Sequence, residues 1–146
     1  MISVSATTED AKDVAQRAYD LLAEEQALRT TTSDILIEAA AGTLILKGRV
    51  RTNNLRGLAQ RLARAASDGW QLQNELISDE ALAVAIASQL ALDPRTAGTD
   101  IRCEVYMGVT NLKGMVHSTA QRDAAIEQAR MVPGVEAVND LLTVLD

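Results

Sequence analysis

The amino-acid sequence predicts an α+β fold made of two tandem αββαβ units, each with a small three-stranded mixed sheet and two helices on one face. Three observations predict it. The chain repeats itself at a fixed shift, apolar residues alternate with a period of two in the middle of each repeat, and they recur at helical spacing on both sides of that middle. A chain of 146 residues has room for one ordinary domain or two very small ones. The repeat favours two.

The internal repeat relates residues 34–66 to residues 100–132. Twelve of those 33 positions are identical. The identical positions include two glycines and an arginine: Gly42 with Gly108, Gly48 with Gly114, and Arg56 with Arg122. After one inserted residue the match resumes at a shift of 65, with residues 69–76 over residues 134–141. Such agreement indicates duplication of one folding unit.

The first unit is predicted to run helix, strand, strand, helix, strand. Thr7 or Thr8 before Glu9 and Asp10 marks the start of a helix of about fifteen residues, because a hydroxyl caps free amides and acids favour the positive end of the helix dipole. Apolar residues then alternate along residues 35–40 and 44–51, which predicts a β-hairpin that turns near Gly42. Residues 54–66 carry an apolar helical stripe, formed by Leu55, Leu58, Ala59, Leu62 and Ala66. A last strand follows from about Trp70 to Ile77.

The second unit repeats these patterns. Its hairpin is predicted from the apolar positions Ile101, Cys103, Val105, Thr110, Leu112, Gly114 and Val116. Residues 118–121 form a capping box at the start of its second helix, Pro133 and Gly134 end that helix, and residues 138–145 form the final strand. Because Ser78, Asp79 and Glu80 directly follow the last strand of the first unit and are typical of a helix start, we expect almost no linker. The predicted domains are residues 1–77 and 78–146.

Composition limits the classes of partner. A net charge of −6 and only three aromatic residues argue against nucleic acid as a ligand, since phosphates need positive charge and unpaired bases need stacking surfaces. No segment reaches the ~20 apolar residues of a membrane-spanning helix, and the N-terminal residues do not resemble an export signal. With a single cysteine, no internal disulfide can form. The expected location is therefore cytoplasmic, with peripheral attachment to a membrane as an alternative.

Six positive charges without an acid between them mark residues 41–66, and they divide into two groups. Lys47, Arg49 and Arg51 alternate with the inward-facing residues of their strand, so we expect them on the sheet face that the helices leave open. On the second helix, the other three lie opposite the apolar stripe and are expected to face solvent: Arg56, Arg61 and Arg64. The run is therefore two separate surfaces.

The candidate binding site consists of Ile45, Lys47, Arg49 and Arg51. With Leu36 on the same open face, these residues predict a mixed apolar and basic surface suited to an anionic lipid headgroup or a protein partner. The alternative is that this face docks against the other unit, with the arginines bridged to acids there. At the corresponding positions of the second unit the charge is diluted: Lys113, Met115 and His117.

No catalytic, metal or cofactor site is predicted. Cys103 faces the core while His117, the only histidine, faces away from it, so they do not form a nucleophile and base. No residues have metal-ligand spacing, and the glycines fit neither a phosphate loop nor a dinucleotide fingerprint. Gly42 and Gly108 suit turns that need positive φ. Gly48 and Gly114, inside strands, predict close approach of another backbone, most simply a covering helix.

Four motifs carry a family resemblance. They are acid-Ile-x-[Ile/Cys]-Glu at residues 34–38 and 100–104, Gly-x-x-x-Leu-Lys-Gly-x-Val at residues 42–50 and 108–116, Arg-x-x-Ala-x-x-x-Ala at residues 56–63 and Gly-Val-x-x-Val-Asn-Asp-Leu at residues 134–141. Together they resemble the BON domain of bacterial osmotically inducible and nodulation proteins, twice over. In the first copy, Trp70 and Gln73 replace the two valines of the usual ending.

The resemblance implies a small non-enzymatic domain, often in tandem, that attaches to phospholipid or other envelope components, frequently in osmotic or general stress. It supplies no catalytic residues, cofactor or small-molecule substrate. Our leading hypothesis is thus a binding module whose partner is an anionic phospholipid surface or a protein. The alternative is a cytoplasmic cation-responsive module, for potassium or calcium, or a scaffold. The sequence is also compatible with a homo-oligomer.

Overall fold

The structure, a computed structural model, describes residues 1–145 and divides the chain into two compact units, Met1–Ser78 and Asp79–Asp146. The first unit contains β1 (Ile2–Ala6), α1 (Glu9–Glu24), α2 (Gln26–Thr30), β2 (Asp34–Ala40), β3 (Thr43–Val50), α3 (Asn53–Ala66) and β4 (Gln71–Ser78). The second contains α4 (Asp79–Leu92), β5 (Asp100–Tyr106), β6 (Val109–Val116), α5 (Thr119–Met131) and β7 (Ala137–Val144). The α+β class with two tandem units is confirmed.

The first unit has a fourth strand that the sequence did not predict. Its sheet has the order β1-β2-β3-β4, in which β1 and β4 are parallel to their neighbours and β2 and β3 form an antiparallel hairpin. In β1, Ile2 lies beside Ile35 and Val4 beside Ile37. The strand was missed because it has only five residues and two of them are serines, which have no strong preference for strands.

The core of the first unit lies between the sheet and the helices α1 and α3. Thr8 and Thr52 cap these helices, with their hydroxyl oxygens accepting from the amides of Ala11 and Leu55. The fully buried side chains include Leu22, Ile35, Ile37, Leu44, Leu46 and Val50. Trp70, the only tryptophan, packs half-buried against this core.

The second unit has three strands in the order β5-β6-β7, the first pair antiparallel and the second parallel. Its buried residues from α4, α5 and β6 include Leu82, Ile86, Leu112, Val116, Ala125 and Ala129. Ser118 caps α5 as predicted, by accepting from the amide of Gln121 at 3.1 Å. The reciprocal bond comes from the amide of His117, one residue before the cap, and reaches the Gln121 side chain at 2.7 Å.

Gly42 and Gly108 of the two hairpin turns have the positive φ that the sequence predicted, and the residue before each has it too. Ala41 and Gly42 have φ values of 51° and 79°, and Met107 and Gly108 have values of 48° and 84°. Two successive positive φ values define a type I′ turn, which matches the twist of antiparallel strands. The second turn is also held by a side chain, because the buried carboxylate of Asp79 accepts from the amides of Met107 at 2.8 Å and Gly108 at 3.1 Å.

The strand glycines do approach another backbone, but the prediction of a covering helix was wrong. A Cβ on Gly48 would lie 1.8 Å from the carbonyl oxygen of Asp34 in β2, and one on Gly114 would lie 1.9 Å from the oxygen of Asp100 in β5. Both glycines have positive φ, 121° and 129°. The neighbouring strand of the hairpin is therefore what excludes a side chain.

The register of the last strands also corrects the sequence comparison. Leu46 lies beside Asn74, and its counterpart Leu112 lies beside Asp140, so the strands correspond at a shift of 66. The sequence match had aligned them at 65. Because side chains alternate between the two faces of a sheet, a slip of one residue reverses every face assignment. Leu141, which the sequence match aligned with the buried Leu76, is instead 52% exposed.

Replacing Thr110 by valine is expected to stabilise the second unit by about 1 kcal/mol. Thr110 is fully buried in β6, where the first unit has Leu44, and its hydroxyl has no hydrogen-bond partner among residues 1–145. Valine has nearly the same shape and leaves no polar atom unsatisfied. Thermal unfolding followed by circular dichroism would measure the change. Thr143→Val, at an exposed strand position, is the control, and equal effects of the two would contradict this explanation.

Candidate functional site

The predicted site lies on β3, the second of the two inner strands of the first sheet. On the face away from the helices, Ile45 lies between Glu38 and Gln73, Lys47 between Leu36 and Glu75, and Arg49 between Asp34 and Ile77. Ile45, Lys47 and Arg49 are half-buried, while Leu46 and Val50 on the helix-covered face are fully buried. Arg51 is half-buried in the bend that follows β3.

Carboxylates surround the positive charges of this face. Lys47 Nζ lies 3.2 Å from the Oε2 of Glu38 and is paired in register with Glu75, and Arg49 is paired in register with Asp34. The three acids come from the two neighbouring strands. Because opposite charges on one sheet face largely cancel their distant field, this surface is mixed apolar and charge-balanced rather than basic.

The prediction that Arg56 faces solvent was wrong. Its Nε donates to the carbonyl oxygen of Leu76 at 2.9 Å, and its Nη2 donates to that of Asn74 at 2.7 Å. Asn74 returns a bond to the carbonyl oxygen of Arg56 at 3.1 Å. Arg122, the counterpart of Arg56 in the second unit, lies 3.5 Å from the carboxylate of Asp140. These arginines tie a helix to an edge strand, whereas Arg61 and Arg64 are exposed as expected.

The second unit presents a more apolar open face. Tyr106, Met115 and Leu141 are 54%, 52% and 52% exposed, and each comes from a different strand. Lys113 is paired in register with Leu141, and its Nζ lies 2.9 Å from the Oε2 of Glu104. The side chains of Asn111 and Asn139 join by a hydrogen bond of 2.9 Å. This face therefore combines exposed apolar side chains with the paired groups of Lys113, Asn111 and Asn139 and with the exposed Arg102, which lies beside Lys113 and has no ion pair within residues 79–145.

The cysteine and the histidine lie in different surroundings. The Cys103 thiol donates to the carbonyl oxygen of Ala83 in α4 at 3.3 Å, while His117 is exposed after the end of β6. Burial raises the pKa of the Cys103 thiol above its ordinary value, which keeps it protonated at neutral pH. Nucleophilic chemistry requires a thiolate with a base within reach. This arrangement does not provide one.

Another cluster of paired charges in the second unit lies at the end of α4 and on α5. Arg95 donates to Asp93 at 2.7 Å and to Glu127 at 3.1 Å, at exposed positions. The side-chain bonds from Arg95 lower the pKa of Asp93, and the bonds to Asp93 and Glu127 raise the pKa of Arg95. This cluster joins the end of α4 to α5, and exposed pairs of this kind contribute little to stability.

Residues 1–145 contain neither a cluster of metal-binding side chains nor a helix that could span a membrane. No group of three or more histidine, cysteine, aspartate or glutamate side chains is arranged to hold a metal ion. None of the helices in this part of the chain combines the length and the apolar character that crossing a bilayer requires.

Comparison with protein families decides the identity of the fold. The sequence model of the BON-domain family matches the chain twice, at residues 8–77 and 78–146. The chain belongs to the BON domain family. The resemblance drawn from the sequence motifs is therefore confirmed for both copies. β1 of the first unit lies before the first matched BON segment.

Solved structures share the tandem BON fold at low sequence identity. The chain is similar to the C-terminal domain of CdsD, a structural protein of the type III secretion system of Chlamydia trachomatis, with a TM-score of 0.69 and 14% identity over 97% of this chain and 70% of that one. A second structure of CdsD gives a TM-score of 0.68 and 16% identity, covering 97% of this chain and 66% of the other. No functionally curated protein shows a significant sequence match.

The two BON units differ in what their open faces expose. The first has half-buried residues with carboxylates beside its cations, and the second exposes large apolar side chains. Sequence reasoning had located the surface of the first unit and had noted Met115. It missed Leu141 because of the one-residue slip. The signal available in the sequence was the pair Leu141–Leu142, since only one of two successive strand residues can face the core.

Proposed function

We propose that this tandem BON chain is a non-enzymatic binding module that takes a protein partner on the open face of its second unit. The observation that carries the proposal is the exposure of Tyr106, Met115 and Leu141 on one face of β5, β6 and β7. Exposed apolar side chains among polar groups are typical of the surfaces that proteins bury against each other. The fold shared with CdsD, a structural protein of a secretion system, agrees with a role in assembly.

The charge pattern favours a protein over an anionic membrane. A lipid surface attracts unpaired cations, at about 1 kcal/mol for each. Lys47 lies against Glu38 and Lys113 lies against Glu104, so that on the second face only Arg102 is a cation without an ion pair within residues 79–145. The face formed by Ile45, Lys47, Arg49 and Arg51 remains in our proposal as a second protein-binding surface of the same kind. No carboxylate cluster in residues 1–145 favours the cation-responsive alternative.

Charge introduced on the second open face should abolish partner binding. In Met115→Lys with Leu141→Lys, burial of the face would desolvate two ammonium groups, so we expect at least about a tenfold loss of affinity. The measurement is affinity purification from the cell of origin, then titration of the purified partner. Val84→Lys with Leu92→Lys is the matched control, because these apolar side chains of α4 are 64% and 78% exposed. A partner that both double variants retain would contradict the assignment.

Vesicle binding separates the membrane from the protein partner. Co-sedimentation with phosphatidylglycerol vesicles at low salt is expected to leave the chain in the supernatant. Sedimentation that disappears in the triple variant Lys47→Glu, Arg49→Glu and Arg51→Glu, with its fold intact by circular dichroism, would instead assign anionic lipid as the ligand. That outcome would overturn the preference for a protein.

A further inference from the structure

The duplication shows a strand in the first unit that the second unit lacks. In the first sheet, β1 pairs in parallel with the outer edge of β2. In residues 79–145 no strand pairs with the outer edge of β5, which is the counterpart of β2. The two hairpins otherwise have the same register, because Ile35 lies beside Gly48 and Ile101 lies beside Gly114. The outer edge of β2 is therefore covered by a strand, whereas the equivalent edge of β5 is not.

Burial of the helix-facing residues follows this difference. Ile35 and Ile37 of β2 are 0% exposed, whereas their counterparts Ile101 and Cys103 of β5 are only half-buried. In the first unit Ile2, from β1, packs against the core beside them. An added strand on β5 would therefore bury apolar surface that the second unit leaves in contact with water.

A groove runs beside this edge. It has a volume of about 220 Å³ and lies between α4 and the start of β5, lined by Ala87, Leu90, Ala91, Thr99 and Ile101 among others. The corresponding place in the first unit, next to Tyr19 and Ala23 of α1, is a cavity of about 430 Å³ that Met1 and Ile2 line on one side. By the same geometry, the first residues of a strand paired with β5 would line one side of this groove and contact its apolar residues.

The backbone of β5 suits a parallel strand. In the first unit the amide of Ile35 donates to the carbonyl oxygen of Met1 at 2.8 Å. Because alternate residues of a strand direct their amides to the same edge, and because the hairpins share a register, we expect the amides of Ile101 and Cys103 to point away from β6. A parallel strand added to β5 would bond to amide donors on alternate residues of β5, which is the spacing of Ile101 and Cys103.

We propose that the outer edge of β5, from Asp100 to Glu104, accepts an extended segment of a protein partner as a fourth, parallel strand. The segment has the pattern of β1, with small or medium apolar residues at alternate positions and small polar residues between them. Strand addition of this kind gains affinity from backbone hydrogen bonds and specificity from side-chain pockets. The proposal rests on the proposed function only in taking a protein as the partner, since it uses the sheet edge and not the open face.

A peptide of residues 1–7, capped at both ends, is the probe. Titrated into the ¹⁵N-labelled full chain, it should bind saturably at about 1 mM or tighter, with the largest amide shifts at Ile101 and Cys103 and in α4. In the parallel pairing of β1 with β2, the amide of Ser3 faces β2 and the amide of Val4 faces away from it. The peptide should present the same two amides to β5 and to solvent. A peptide N-methylated at Ser3 should bind at least about tenfold more weakly, and one N-methylated at Val4 should bind normally.

Several results would overturn the proposal. They are the absence of saturable shifts, shifts confined to β2 and α1 from exchange with β1, and equal binding of the two methylated peptides. Concentration-dependent shifts of β5 without peptide would assign the edge to a second copy instead. The peptide titration tests the edge of β5, and titration of the purified partner into the Met115→Lys and Leu141→Lys double variant tests the open face, so that the two proposals can fail separately.

Discussion

Gly48→Ala is expected to destabilise the first unit by about 3 kcal/mol or more. The new Cβ would lie 1.8 Å from the carbonyl oxygen of Asp34, and φ at this position is 121°. The chain must then break the hairpin register near this point or force β2 away from β3. Gly114→Ala should have the same effect in the second unit, where the corresponding distance is 1.9 Å. Equilibrium unfolding in urea would measure both changes.

Gly57→Ala provides the matched control for these substitutions. Gly57 lies inside α3, and an added Cβ would contact only the end of the Arg61 side chain, at 3.4 Å. Alanine forms helices better than glycine, so this change should be neutral or stabilise the unit by up to about 1 kcal/mol. If Gly48→Ala unfolded at the same urea concentration as Gly57→Ala, the close approach of the two strands would not be the reason for the glycine.

Asp79→Ala is expected to destabilise the second unit by about 2 to 4 kcal/mol. Asp79 is only 4% exposed, and its carboxylate accepts from the amides of Met107 and Gly108. Its removal leaves two amides of a tight turn without their acceptor, and hydrogen bonds to a charged group are stronger than neutral ones. Thermal unfolding and amide exchange at Met107 and Gly108 would report the loss.

Asp123→Ala is the comparison for a carboxylate without such a role. Asp123 lies on α5, its side chain is 67% exposed, and its nearest cation is Arg122 at 3.6 Å. Loss of an exposed pair changes stability by no more than about 0.5 kcal/mol. Similar stability of the two variants would mean that Asp79 does not hold the turn.

The parts of the fold that the sequence predicted depend on local patterns. The hairpins follow from alternation around Gly42 and Gly108, and the helices from their apolar stripes and hydroxyl caps. The parts that it did not predict depend on tertiary contacts. β1 is a strand because its residues pair with β2, and Arg56 turns back to β4 because two carbonyl oxygens of that edge strand lie within reach.

The candidate site was predictable only where it depends on local sequence patterns. The alternation along β3 placed Lys47 and Arg49 on the open face, but it could not show that Glu38, Glu75 and Asp34 would lie beside them. Those acids come from β2 and β4, and their positions depend on the strand register. In the second unit an error of one residue in that register hid Leu141, because alternate residues of a strand face opposite ways.

The location of Trp70 makes the two repeats optically distinguishable. The only indole of the protein packs against the core of the first unit, and the second unit has none. Tryptophan fluorescence, excited at a wavelength that tyrosine does not absorb, therefore reports denaturation of the N-terminal half alone, while far-ultraviolet ellipticity sums over both halves. Non-coincident melting curves from the two signals would mean that the duplicated halves lose structure independently, and they would assign each transition to its repeat without dissecting the polypeptide.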